Sequence, residues 1–245
     1  MRTPMPGGTS CGGWATRPEA DTERRWPDEA GALAAAQEAL GELRPPPWRP
    51  GAGELAIAGC FVAERRGVAG PGAADDPLWA AAVVVERGRL VAQNVVAGRA
   101  GGPYGAGLLA LRDGPVLEAA VRDLPRPDVL LVDATGRDHP RRAGLALHLG
   151  ALLDIPTAGV THRPLVARGE WPEARRGAWT PLILDGEAVG AWLRTSARAR
   201  PLAVHAAWRT DVETAVEVVL AACGRHRTPE PLRHARRLAR TARAS

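Results

Sequence analysis

The chain has 245 residues, 45% of them hydrophobic, which suffices for one sizeable core with tails. It has no lysine; 32 basic residues against 27 acids give a formal charge of +5, which suits a polyanion partner without requiring one. Cys11, Cys60 and Cys223 are odd in number and lack C-x-x-C spacing, so neither a zinc site nor a disulfide scaffold is readable, and a reducing cytoplasm is expected.

No apolar run reaches membrane-spanning length. Residues 1–27 have no apolar signal region, and their Gly, Pro, Thr and Arg content predicts a disordered leader. The remaining residues, 28–245, read as one domain that works as a monomer. Asp28 to Arg44 reads as a helix, capped by Asp28 and stopped by Pro45, Pro46 and Pro47. Glu54 to Ala63 is the first strand. Leu78 to Glu86 and Arg89 to Val96 form a hairpin around Arg87-Gly88. Pro115 to Leu124 is a short helix, and Asp128 to Asp133 is a strand buried on both faces. A helix over Arg141–Leu153 and a strand over Thr157–Val160 follow. Pro181 to Leu193 is a second hairpin, Leu202 to His205 a last strand, and Thr210 to Ala222 a helix. The basic helix Pro231 to Ala244 ends the chain. It reads as a solvated surface helix or as a stripe that tracks a phosphate backbone. Antiparallel-type strands followed by strand–helix–strand units imply a mixed-sheet α/β fold.

The densest chemistry lies in Asp133 to Val160, DATGRDHPRRAGLALHLGALLDIPTAGV. Asp133 ends a buried strand, where ligands of open α/β sheets bind, and an Asp there can hold a divalent cation through a hard oxygen. A nearby His139 can relay a proton or place a water. The residues alone favour the plainer reading, in which Asp133 caps a turn and His139 caps a helix. Trp171, Trp179, Trp192 and Trp208 offer stacking faces or half-buried packing.

This segment resembles the endonuclease V motif D-x-x-G-x-x-H-P-R, then His-x-Gly and an I-P-T-x-G-V strand. The matching residues are Asp133, Gly136, His139, Pro140, Arg141, His148, Gly150, Ile155, Pro156, Thr157, Gly159 and Val160. Tyr104 to Pro115 resembles the family's Y-I-P-G-x-L-x-F-R-E-G-P stretch, and Asp211 with Glu213 resembles its late acidic helix. The resemblance implies an RNase H-like α/β fold, a mixed central sheet flanked by helices. It implies cleavage of DNA or RNA beside a deaminated base, chiefly inosine, with Mg²⁺ (or Mn²⁺) as cofactor. The cation would polarise the phosphate and activate water. Carried over by position, Asp133, Asp113, Asp211 and His139 would be catalytic, with Asp133 and Asp113 on the metal. Pro103, Tyr104, Gly105, Gly136, Arg141 and His162 would meet the nucleic acid.

The same comparison exposes departures. The family motif G-V-D-V-S falls on Gly59 to Ala63, so Phe61 stands where a metal-binding Asp is implied. Asp113 replaces a Glu, Gly105 and Ala106 replace Ile and Pro of the strand-separating wedge, and His162 replaces a Lys. Ala207 and Trp208 stand for a Gly-His pair. Two readings follow: a nuclease with a partly degenerate site, or a nucleic-acid-binding protein that keeps the fold without cutting. Either expects Asp113, Asp133, Asp211 and His139 to meet at one rim of the sheet.

Overall fold

The computed structural model describes residues 26–65 and 72–245. An eight-stranded mixed sheet has the order β3-β2-β1-β4-β5-β8-β7-β6. Its strands are β1 (Ile57–Glu64), β2 (Pro77–Glu86), β3 (Arg89–Arg99), β4 (Val129–Val132), β5 (Thr157–Thr161), β6 (Trp179–Leu184), β7 (Glu187–Leu193) and β8 (Leu202–Ala206). The central strands β1, β4 and β5 are parallel, and the outer pairings are antiparallel.

Helices cover both faces, and strand alternation decides which residue meets which layer. On β4, Leu130 and Val132 join the core under α1 (Ala30–Glu42), α2 (Leu109–Arg122) and α3 (Leu145–Leu153). Val129 and Leu131 face the opposite way, into the core under α4 (Val212–Ala221) and the start of α5 (Glu230–Ala244). Farther along α5, Ala235, Leu238 and Ala239 cover Phe61, Ala63, Ala81 and Val83 of β1 and β2. The basic C-terminal helix is therefore docked on the sheet by its alanine stripe, with its arginines turned to the sides.

Most elements fall where the sequence puts them. Both hairpins turn on left-handed pairs, Arg87-Gly88 and Asp185-Gly186, which match the twist of antiparallel strands. Three details differ. Asp28 does not cap α1; Glu29 takes the cap position without a side-chain bond. The helix expected from Pro115 begins at Leu109 and carries Pro115 inside. The helix expected from Arg141 begins only at Leu145, because Ala134 to Gly144 is an irregular segment tied to β8 and α1 by Arg137. Of the leader expected over 1–27, only Trp26 and Pro27 lie within the described residues. Trp26 stacks on His148 at 4.5 Å and donates to Glu118 at 2.6 Å. Among the described residues, Cys60 and Cys223 are free and buried, and no helix is long and apolar enough to cross a membrane.

Candidate nucleic-acid interface

The parallel register ends by pairing Cys60 with Val132, which sets Phe61, inside β1, beside Asp133 at the carboxyl end of β4. The α5 helix crosses above them. It comes close because position 59 is glycine: a Cβ there would stand 2.6 Å from the carbonyl carbon of Pro231. From this helix Arg236 reaches back and donates through Nη2 to Asp133 Oδ2 at 2.9 Å. The same guanidinium lies 5.0 Å from the centre of the Phe61 ring, and that of Arg240, one helical turn on, lies 5.8 Å away. A cation over an aromatic face is attracted by the ring quadrupole. The rim of the sheet thus has an internal cation held between a carboxylate and a ring.

Asp113 reaches the same end of the sheet from α2. Its neighbour Arg112 is almost fully buried and satisfied by Glu64, Asp76 and the carbonyls of Ala73 and Gly102. Asp113 itself is buried, and its Oδ1 has no hydrogen-bond partner. Burial, reinforced by the charge of Glu64 and opposed by Arg112, pushes its carboxyl up to about 7. It lines a pocket of about 320 Å³ with Phe61, Glu64, Arg240 and Arg243. Phe61 stands between the two acids: it shares this pocket with Asp113 and shares Arg236 with Asp133.

His139 and Arg141 are engaged within the scaffold. The His139 ring is buried, its Nδ1 accepts from the Arg141 amide at 3.1 Å, and its Nε2 donates to the Gly107 carbonyl at 3.2 Å. Both nitrogens are engaged, and burial lowers its pKa, so it stays neutral and pins the loop that carries Tyr104. The Arg141 side chain donates to Gln37 at 3.0 Å. Gly136 fits against β8, where a Cβ would lie 2.2 Å from the Ala206 carbonyl oxygen. Pro103 and Tyr104 are exposed at the loop tip, with Gly105 half-buried beside them.

Asp211 corrects the expectation of one shared rim. Strand β8 runs antiparallel to β5, pairing Ala206 with Ala158, so the chain beyond it emerges at the start of β5. Asp133 lies at the other end, beyond the pairing of Val132 with Gly159. Asp211 caps α4 through the Thr214 amide at 2.9 Å and pairs with Arg49 at 2.5 Å. The Arg49 guanidinium is the first cause that holds its carboxyl far below the usual range. Its work is that of a helix cap.

One residue escaped the sequence reading. Asp138 is fully buried and accepts the amides of Leu165, Val166 and Ala167 at 2.7, 2.9 and 2.7 Å. His205 Nδ1 lies 3.4 Å from it, and burial lowers that imidazole to about 4. Asp138 fixes the loop after β5. The signal available was a second acid in the motif, set between Arg137 and His139, which is weak because such flanks usually mark a solvated turn.

That loop borders a groove of about 670 Å³ lined by His162, Arg163, Trp171, Trp192, Arg200 and Arg227. His162 Nδ1 accepts from Arg227 Nη1 at 3.0 Å. Burial and then the Arg227 charge lower the His162 pKa, which suits a neutral ring that accepts from Arg227. Trp171 is 52% exposed, Trp192 is buried beside it, and Arg194 lies over Trp171. Trp208 is buried, and Trp179 is partly exposed on β6.

Does a divalent cation fit? Among the described residues, no three His, Cys, Asp or Glu side chains come together as a metal-binding group. Phe61 supplies no oxygen, Asp211 is at the far end, and Asp133 is engaged by Arg236. These residues do not fit a metal site.

The family model for endonuclease V matches residues 64–237. The chain belongs to the endonuclease V family. The Methanopyrus kandleri endonuclease V is 45% identical over 163 residues, covering 66% of this chain and 71% of that protein. Several other curated relatives are matched over 62% of their own length. The solved endonuclease V of Streptomyces avermitilis superposes with a TM-score of 0.77 at 36% identity, covering 89% of this chain and 94% of that one. The Ciona intestinalis endonuclease V, solved with DNA containing an inosine followed by a ribo-adenosine, has a TM-score of 0.69 at 22% identity; the match covers 86% of this chain and 96% of that one. The fold is RNase H-like, as the sequence resemblance implied.

Proposed function

We propose that this endonuclease V family member binds inosine-containing DNA or RNA at the carboxyl rim of β1, β4 and β5 and holds it without a bound Mg²⁺ or Mn²⁺. Residues 28–245 would act as one unit, a monomer in the cytoplasm. The observation that carries the reading is the set of cationic and aromatic side chains near Asp133, which Arg236 of α5 contacts directly. On one side lies the groove of Trp171, Arg163, Arg200 and Arg227, and on the other the arginines of α5. Arginine forks meet phosphates, and an exposed indole accepts a base without regard to sequence. The inosine preference comes from the family, of which the Ciona intestinalis member was solved with inosine DNA. Pro103, Tyr104 and Gly105 stand at an exposed loop tip suited to wedge between strands, and His139 holds that loop.

A second reading keeps the family's metal-dependent cleavage, with Asp133 and Asp113 on the ion and Asp211 and His139 in support. One observation favours it: the Oδ1 of Asp113, beside the pocket at Phe61, accepts no hydrogen bond and has only the Arg112 guanidinium at 4.0 Å. Fluorescence anisotropy with an inosine-bearing strand, followed by denaturing gels of the same mixtures, separates the two. The first reading expects salt-sensitive binding that is equal in EDTA and in Mg²⁺, intact strands, and a loss of ~1–3 kcal/mol on Trp171→Ala. Nicking that needs Mg²⁺ or Mn²⁺ and vanishes in Asp133→Ala establishes the second instead. No binding to any strand sinks both.

A further inference from the structure

We propose that Arg236 is the resident cation of this rim: its guanidinium takes the place of a divalent ion, so phosphate oxygens are met there by the chain's own N–H donors. The inference rests on the nucleic-acid reading for its ligand, but its geometry stands independently. Four observations converge on it. Arg236 Nη2 lies 2.9 Å from Asp133 Oδ2, a charge-assisted contact that an incoming cation must displace. The position beside Asp133 on β1, where another oxygen is needed, is Phe61, and its ring takes the Arg236 cation at 5.0 Å. The Arg236 Nε is buried without a hydrogen-bond partner although the side chain is 24% exposed, so the inner edge of this guanidinium is drawn into the site while its outer edge meets solvent. Arg240 adds a second positive charge over the same ring, which opposes any further cation.

Phe61 and Arg236 support one another. Replacing a carboxylate by a phenyl ring removes a metal ligand and leaves Asp133 short of a counter-charge. A guanidinium answers both changes, because its planar face lies on an aromatic while its edge donates to a carboxylate. A lysine would offer a point charge with no flat face. Outside the contact to Asp133, the remaining edge N–H groups have the fork geometry that suits phosphate. A guanidinium neutralises charge on a bound phosphate, but it does not generate a metal-bound nucleophile, which accords with binding in place of cutting.

The test is Mn²⁺ titration of the full chain, read by the electron paramagnetic resonance signal of free Mn²⁺, with far-UV circular dichroism to certify folding. Wild type and Arg236→Gln should take up no Mn²⁺ in the low millimolar range, because Phe61 offers no ligand in either. The double variant Phe61→Asp with Arg236→Gln should gain uptake at one site, at least about tenfold tighter than any residual wild-type uptake, since two carboxylates then face each other. In EDTA, Arg236→Gln should weaken binding of an inosine-bearing strand by about fivefold to tenfold, as expected for one charged contact to phosphate. Wild-type uptake of Mn²⁺ that Asp133→Asn abolishes would overturn the assignment, as would a folded double variant that takes up none. If wild type binds no strand while the uptake pattern holds, the nucleic-acid reading fails and the replacement of the ion by Arg236 stands.

Discussion

Asp133 and Asp138 belong to one motif and have opposite fates. Asp133 follows the end of β4, a quarter exposed, and its partner is a side chain from a helix near the end of the chain. Asp138 is wholly buried and accepts three amides from the loop after β5. The lesson is that an acid satisfied by backbone amides is part of the scaffold. An acid satisfied by one side chain at a partly exposed rim remains open to exchange with a ligand.

The comparison breaks most directly at Asp138. Asp138→Ala leaves three amides unpaired, that of Ala167 fully buried, and should cost roughly 3–5 kcal/mol in urea unfolding. Little loss of stability would show that the buried acid is not what fixes the loop.

Asp113 sharpens the contrast through pH. Its folded carboxyl titrates near 7 against an ordinary 3.8, so between those values the folded chain holds a proton that the unfolded chain has released. Stability from this group therefore falls as pH rises from about 4 to about 7 and is level above that. Asp113→Asn should remove the fall and raise stability at pH 8 by roughly 2–4 kcal/mol. An unchanged pH profile of the melting temperature would contradict a buried acid whose Oδ1 accepts no hydrogen bond.

Gly59→Ala tests the crossing of α5 over β1. A Cβ at 2.6 Å from Pro231 backbone forces the helix outward, at about 1–3 kcal/mol. It should also weaken binding of nucleic acid, because Arg236 moves with the helix. The smallest effect is expected at Asp133→Asn, under ~1 kcal/mol in unfolding, since the pair with Arg236 is partly solvated. A loss as large as that of Asp138→Ala would place both acids in the scaffold.

The elements were legible because periodicity and turn residues are local. Val129 to Val132 reads as a buried strand, Arg87-Gly88 announced the first hairpin, and the pattern of Pro181 to Leu193 gave the second. The start of α2 was missed because Pro115 looks like a helix beginning, whereas its place inside the helix is stabilised by packing of Leu111, Val116 and Leu117 that no local pattern encodes. The family was legible from the fixed order of Asp133, Gly136, His139 and Pro140 through Ile155 to Val160. The lack of a ligand at Phe61 was legible too. What replaces it was not. Arg236 is one arginine among many in a basic helix, and only the seating of α5 over Gly59 brings it to Asp133. Asp211 misled because a cap and a ligand look alike in sequence; the antiparallel run of β8 carries it to the opposite end of the sheet.

A crystal of this protein soaked in MnCl₂, with anomalous differences recorded near the manganese edge, tests the central claim most directly. The account predicts no anomalous peak at the Asp133 carboxylate and Arg236 still paired with it. A manganese peak bridging Asp133 and Asp113, with Arg236 swung away, would contradict it.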